Sequence, residues 1–314
     1  MNILVTGGTG FVGKGIIARL SAHPTIEITA ITRRPTAEWE HGINYVEVPD
    51  IAENADWSGA LSGKDIVIHA AALAHVAHSS SAEALAEFRR VNTEATIQLA
   101  QAAVKAKVKR FIFISSIKVN GETTMPGRPF TADDAPAPHD AYGISKMEAE
   151  IALQKIGRDS GMEIVIIRPP LVYGPGVKAN FKILIKLAKL GIPLPLGSIH
   201  NKRSLVALGN LVDLITVCTK HPAAANQVFL VSDDEDISTT ALLKRIAQAM
   251  GKPALLFPFP AAILMLAAKL TGRQESAQKL CGSLQVDIEK TRRLLQWHPP
   301  VSMQEGLQQT IENL

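Results

Sequence analysis

Tyr142 and Lys146 stand four residues apart in Ala141-Tyr142-Gly143-Ile144-Ser145-Lys146. On a helix that spacing sets phenol and ammonium on one face. A phenol titrates near pH 10, so it exchanges protons near neutrality only when a neighbour favours its anion, and an ammonium does so. Ser116, in Ser115-Ser116-Ile117-Lys118-Val119-Asn120-Gly121, adds a hydroxyl just beyond the apolar run FIFI. Such a hydroxyl can hold an oxygen on which charge builds during hydride transfer. A Tyr/Lys pair taken alone is an ordinary surface feature of helices; joined to other motifs it becomes a proton-transfer set.

The joining motif lies at the start of the chain. Thr6-Gly7-Gly8-Thr9-Gly10-Phe11-Val12-Gly13 follows an apolar strand pattern and precedes a helical one. Gly7 permits a tight turn, Gly10 lets a pyrophosphate approach the backbone, and Gly13 lets helix pack on strand. Thr9, Phe11 and Val12 complete the loop, and the helix N-terminus favours phosphate charge. This predicts a dinucleotide site. At the end of the second strand pattern stand Arg33 and Arg34, where a carboxylate would hold a ribose 2′-hydroxyl and an arginine accommodates a 2′-phosphate. The pair points to NADP(H), with NAD(H) as the other candidate and two solvated surface arginines as the plain reading. Asp50, followed by Ile51, is either a contact for the adenine amino group or a turn residue.

Positioning these groups requires alternating strands and helices. Strand patterns cover 2–6, 26–32, 43–48, 65–71, 110–116 and 163–168, with helical spacing over 14–22, 82–107 and 141–160. Alternation of this kind predicts parallel βαβ units in a doubly wound α/β sheet of Rossmann type. The continuous apolar strands ILV, IVIHA, FIFI and IVII fit a sheet covered on both faces. After about residue 175 the rhythm changes to helices at 178–190, 209–220, 239–250, 287–295 and 303–314, with a strand at 228–232. The expected division is a nucleotide domain over 1–174 and a substrate-binding region over 175–314, some of which returns to the sheet.

TGGTGFVG, DIVIHAAA (65–72), SSIKVNG, YGISK and RPPLVYGPG (168–176) resemble, in order and spacing over nearly the whole chain, the extended short-chain dehydrogenase/reductases. These are nucleotide-sugar epimerases, dehydratases and reductases. The resemblance implies Ser116, Tyr142 and Lys146 as the catalytic set. It implies that Asn92, in VNTEAT, supports the active-site network, and that Ala70, Ala71 and Pro169 line the cofactor. Arg203 matches an arginine that clamps the nucleotide diphosphate, against the alternative of a surface arginine. Asn180 and Lys118 fall near the substrate, and His75, with His78 as the weaker candidate, near the sugar. Asn210 stands where the family has an acid, and Leu171 where many epimerases have Asn. Ile117 replaces the acidic residue of the 4,6-dehydratases and cannot exchange a proton.

SSIKVNG and residues 193–215 look most like bacterial reductases of UDP-4-keto-6-deoxy-N-acetylhexosamines, which serve surface-polysaccharide (lipopolysaccharide) synthesis. With the arginine pair, this makes an NADP(H)-dependent 4-keto reductase the leading expectation. An NAD-dependent UDP-hexose 4-epimerase built from the same residues is the alternative. A non-catalytic NADPH-sensing interaction protein is the alternative from another class. The resemblance implies a homodimer.

Composition narrows the field. The 314 residues carry 33 bases, 29 acids and 46% hydrophobic residues, as in an ordinary globular protein. Up to residue 170 the chain has 17 bases and 19 acids; beyond it, 16 and 10. The basic excess thus falls where an anionic diphosphate is expected, and nucleic acid is not needed to explain it. Cys218 and Cys281 follow no ligand spacing, and no metal site is expected. The N-terminus lacks a signal-peptide pattern, which leads to a cytoplasmic expectation. Residues 254–268 (ALLFPFPAAILMLAA) are uncharged but too short to span a bilayer. They read as a turn and then a buried or interface helix from near Pro260.

Overall fold

Strand β1 (Asn2–Thr6) leads into helix α1 (Phe11–Ser21), and the alternation continues through β2 (Glu27–Thr32), β3 (Asn44–Glu47), α2 (Ser58–Leu61) and β4 (Ile66–His69). A computed structural model describes residues 1–33, 43–48, 50–52, 55–74, 81–177, 179–272 and 274–313. Helices α3 (Ser81–Phe88) and α4 (Ala95–Lys105) are joined by a π-helical turn, Arg89–Glu94. Strand β5 (Arg110–Ile114), helix α5 (Ala141–Ser160) and strand β6 (Glu163–Arg168) follow. Helix α5 begins where Asp140 accepts a hydrogen bond from the Gly143 amide at 2.7 Å, and stops at Gly161 in the left-handed region, φ 79°.

The second half contributes β7 (Leu171–Tyr173), α6 (Ala179–Lys189), β8 (Arg203–Ala207), α7 (Leu208–Lys220), β9 (Gln227–Leu230) and β10 (Asp236–Ile237). Helices α8 (Thr239–Ala249), α9 (Ala261–Leu270), α10 (Gln274–Cys281), α11 (Glu289–Leu295) and α12 (Met303–Glu312) complete it. The main sheet has seven strands in the order β3-β2-β1-β4-β5-β6-β9, all parallel. Its order reverses between β1 and β4, the crevice where doubly wound sheets bind ligands. A small sheet, β10-β8-β7, lies in the substrate-side region.

Period-2 alternation sorts the strand side chains into two cores. Ile3 and Val5 face one cluster with Ile16, Leu20, Leu214 and Ile215, while Leu4 faces the other with Leu99, Phe111 and Leu153. A third cluster, around Tyr173, Phe181, Leu205, Leu242 and Leu307, holds the substrate-side region.

The structure refines the sequence reading at three places. The continuous helix read over 82–107 contains the π turn. Strands β7, β8 and β10 were not read from the sequence: β7 and β10 span three and two residues, and β8, RSLVA, carries no period-2 alternation. The segment read as a buried or interface helix forms α9, beginning at Ala261 after Pro260; none of its residues is buried, which removes the first of the two alternatives. It sits on the rim, with Leu264 packed against the third cluster.

Candidate active site

The glycine loop joins β1 to α1 at the crevice. Gly7 has φ 71°, and a Cβ there would lie 2.6 Å from the Ala71 amide nitrogen. A Cβ on Gly13 would lie 2.0 Å from the Gly7 carbonyl oxygen. These contacts let the loop, the helix and the β4 end approach as closely as a bound pyrophosphate needs. No side chain caps the N-terminus of α1, Thr9 and Gly10 are exposed, and Phe11 and Val12 turn to the cores. Ala70 and Ala71 are half-buried across from the loop.

Residue register builds a polar chain beneath it. Thr6 pairs with His69 across β1 and β4. The Thr96 hydroxyl donates to the Asn92 carbonyl at 2.7 Å, so toward His69 it accepts, from Nε2–H at 2.8 Å. His69 Nδ1 therefore accepts from the Thr6 hydroxyl, at 2.6 Å, and that hydroxyl takes a hydrogen bond from the Ala71 amide at 3.3 Å. Burial, with Lys146 adding repulsion, pushes His69 down to about 3 and keeps it neutral. The π turn points Asn92 inward, where its side chain bonds both backbone groups of Leu73 and the Ser145 hydroxyl, at 2.8, 3.0 and 3.1 Å. Asn92 thus ties the β4 loop to α5. Thr6, His69, Thr96 and Ser145 were not singled out in the sequence; the histidine closing the apolar run IVIHA was their one visible sign.

Helix α5 carries Tyr142 and Lys146, the pair expected to transfer protons. Tyr142 packs edge-on against Phe88 at 5.9 Å, and the Ser116 side chain acts on its phenol. Burial, with Asp140 second, pushes its phenol up to about 12, against the lowering effect of Ser116. The Lys146 ammonium lies 4.1 Å above the Phe113 ring, and its nitrogen is buried with no hydrogen-bond partner. Burial pulls Lys146 down to about 7, while Glu150 raises it. Burial therefore outweighs the expected lowering of the tyrosine by lysine. A buried ammonium with unused donors is a fitting partner for ribose hydroxyls. Together with the glycine cradle it fits a nicotinamide dinucleotide. Pro169 is buried, and its carbonyl accepts the Ile117 amide at 3.0 Å.

Behind Ser116 lies a second buried network. Glu150 pairs with Arg168 at 2.5 Å and accepts from the Ser115 hydroxyl. Arg168 also donates to the Asn120 side chain at 2.9 Å. The sequence signal was Glu150 itself, one turn beyond Lys146 on the same face.

Other expected residues have local partners. Lys118 pairs with Asp140 and, at 3.5 Å, with Glu122. Arg203 is half-buried and donates to the carbonyls of Lys279 and Gly282 at 2.9 and 3.1 Å. Asp50 accepts from the Ala52 amide at 2.8 Å and from Arg90 at 3.1 Å. The amide bond leads the lowering of its pKa, opposed by burial, with Arg90 and Arg33 adding to it. Ile51 packs at the edge of the second core. Asn210 holds Asp233 and both backbone groups of residue 301, a structural tie in place of the family acid. Ile117 is buried in the core. Arg34, His75 and His78, and the Asn180 side chain, lie outside the described residues.

Comparison with known proteins agrees with this geometry. Residues 3–232 match the family model "NAD dependent epimerase/dehydratase family". The chain is 48% identical over 312 residues to a Vibrio cholerae protein described as UDP-glucose 4-epimerase, covering 99% of this chain and 94% of the relative. It is 26% identical to the N-acetyl-alpha-D-glucosaminyl-diphospho-ditrans,octacis-undecaprenol 4-epimerase of Escherichia coli O157:H7, over 99% and 94% of the two chains. A solved UDP-glucuronic acid 4-epimerase from Bacillus cereus, with UDP-glucuronic acid and NAD, has the same fold, with TM-score 0.81, 24% identity, and 100% and 98% coverage. With the glycine loop at the switch point, Ser116, Tyr142 and Lys146 around one crevice, and a relative of this similarity along its whole length, the chain belongs to the NAD dependent epimerase/dehydratase family.

Proposed function

We propose that the protein is a UDP-sugar 4-epimerase, inverting a hexose or N-acetylhexosamine at C4. The observation that carries this is the 48% identity over 99% of the chain to a protein described as UDP-glucose 4-epimerase, with the proton-transfer set intact. Inversion at a carbinol carbon without net redox change requires a hydride to leave one face and return to the other. The bound nicotinamide supplies the hydride acceptor and donor. Tyr142 takes the C4-hydroxyl proton as the carbonyl forms and returns it when the carbonyl is reduced. Ser116 holds the same oxygen. Lys146 binds the ribose and keeps positive charge beside the phenolate. Arg203 contacts the diphosphate with the guanidinium donors that Lys279 and Gly282 leave over, as bidentate recognition favours. Ile117 offers no acid or base for dehydration.

The NADP(H)-dependent 4-keto reductase is the second reading, supported by Arg33, exposed just beyond the end of β2. The two differ in what the purified protein holds and needs. Expected is bound NAD, with conversion of UDP-glucose or UDP-N-acetylglucosamine to the C4 epimer in the absence of added cofactor. No epimerisation, with NADPH oxidised on addition of a UDP-4-keto sugar, would establish the reductase instead. Tyr142→Phe should lower turnover at least a thousandfold in either case while leaving cofactor affinity within about threefold.

A further inference from the structure

Eight of the ten exposed large apolar side chains among the described residues lie in one part of the sequence, from Ile183 to Leu270. Helix α9, AAILMLAAKL, is apolar except for Lys269 in its last turn, yet Leu266 and Leu270 are 59% and 81% exposed. The segment leading into it is zipped to the chain after α6. The Leu194 amide donates to the Leu255 carbonyl at 2.8 Å, the Phe257 amide to Leu194 at 3.0 Å, and the Gly197 amide to Phe257 at 2.9 Å. Ile192 and Leu255 line one shallow cleft. Leu190, Ile192, Leu255 and Phe257, all exposed, thus lie together beside the entry to α9. Apolar exposure concentrated in this way marks a surface that meets a partner.

The charges around it indicate which partner. Lys182, Lys186 and Lys189 on α6, Lys252, and Lys269 on α9 are all exposed. No Asp or Glu occurs between residues 164 and 212, or between 237 and 274. A second copy of this chain, docked through the same face about a twofold axis, would set lysine rim against lysine rim. An anionic lipid surface satisfies both parts of the pattern, taking apolar side chains below the headgroups and lysines among them. At ten residues α9 is about 15 Å long. Among the described residues no helix is long and apolar enough to cross a membrane, so the geometry is that of a helix lying in the interface.

We propose that residues 254–270, with the end of α6, dock the enzyme on an anionic phospholipid bilayer. The test is flotation of the full-length protein with vesicles of phosphatidylcholine alone or with 30% phosphatidylglycerol. Expected is at least tenfold more protein floating with the anionic vesicles, reduced severalfold by 0.5 M NaCl. Leu266→Asp should remove most of that binding, and the triple variant Lys182→Gln/Lys186→Gln/Lys189→Gln should weaken it. Both should keep wild-type melting temperature and wild-type turnover of a soluble sugar nucleotide. Absence of binding to anionic vesicles, or binding equal in wild type and Leu266→Asp, overturns the proposal. So does a vesicle-free sedimentation result in which Leu266→Asp converts a dimer to monomer, since the face would then be a subunit interface.

Discussion

A histidine at the end of β4 is held neutral so that it can join two hydroxyls. His69 accepts from Thr6 and donates to Thr96, and a proton added to Nδ1 would force the first bond to reverse and place a charge in a buried site. Burial lowers its pKa from 6.5 to about 3. Between those values the unfolded chain binds a proton that the folded protein does not, so stability falls as pH drops through this window. From pH 7 to pH 5 this group alone should cost about 2 kcal/mol at 1.36 kcal/mol per pH unit. Urea unfolding at the two pH values should show that loss in the wild type and a loss smaller by about 2 kcal/mol in His69→Gln; equal losses would refute the assignment. Ser116, Tyr142 and Lys146 could be singled out in the sequence because the proton-transfer chemistry proposed for them depends on local spacing and type. His69, Thr96 and Asn120 were not singled out for these contacts, because their partners are separated by tens of residues and meet only through strand register.

At the scale of elements, β5, β6 and α5 are braced by one buried ion pair. Arg168 and Glu150 are each almost fully enclosed, and Ser115 and Asn120 complete their hydrogen bonding. Removing one partner leaves the other charge buried and uncompensated, at about 3–5 kcal/mol. Glu150→Ala should lose that much in chemical denaturation. Glu150→Met/Arg168→Met should lose less than the sum of its single changes, because the stranded charge is gone. The glycine loop is the other joint. A Cβ at Gly13 would meet the Gly7 carbonyl oxygen at 2.0 Å, so Gly13→Ala must push α1 away from the loop. Isolated Gly13→Ala protein should retain less than about a tenth of the wild-type bound dinucleotide, measured after acid release. The extents of β1, α5 and β6 were readable because propensity, capping and burial agree there. The π turn was hidden because its sequence keeps helical spacing, and only the inward aim of Asn92 marks the extra residue.

For the molecule as a whole, the division near residue 174 that the change of rhythm suggested does not divide the core. Strand β9 pairs with β6 at the sheet edge. Val206, Leu211, Leu214, Ile215, Phe229 and Leu230 from the second half share one cluster with Ile3, Ile16, Leu20 and Ile112 from the first. Arg110 on β5 donates to the carbonyls of Cys218 and His221 at 2.6 and 3.1 Å, and Asp213 accepts from Arg19 and Trp297. Local sequence pattern reports an element's own faces and not which distant element covers them, so the return of the chain to the sheet was only partly foreseen. A core shared in this way should unfold as one unit. The three tryptophans allow the check, since Trp57 is buried in the first half and Trp297 in the second. Variants keeping Trp57 alone or Trp297 alone should show fluorescence transitions at the same urea midpoint, coincident with loss of helical circular dichroism. A chain ending at residue 174 should lack a cooperative transition, because it leaves the α1 face of the sheet without α7 and the β6 edge without β9. Separate midpoints for the two tryptophans, or cooperative unfolding of the 1–174 fragment, would instead show two independently folding units.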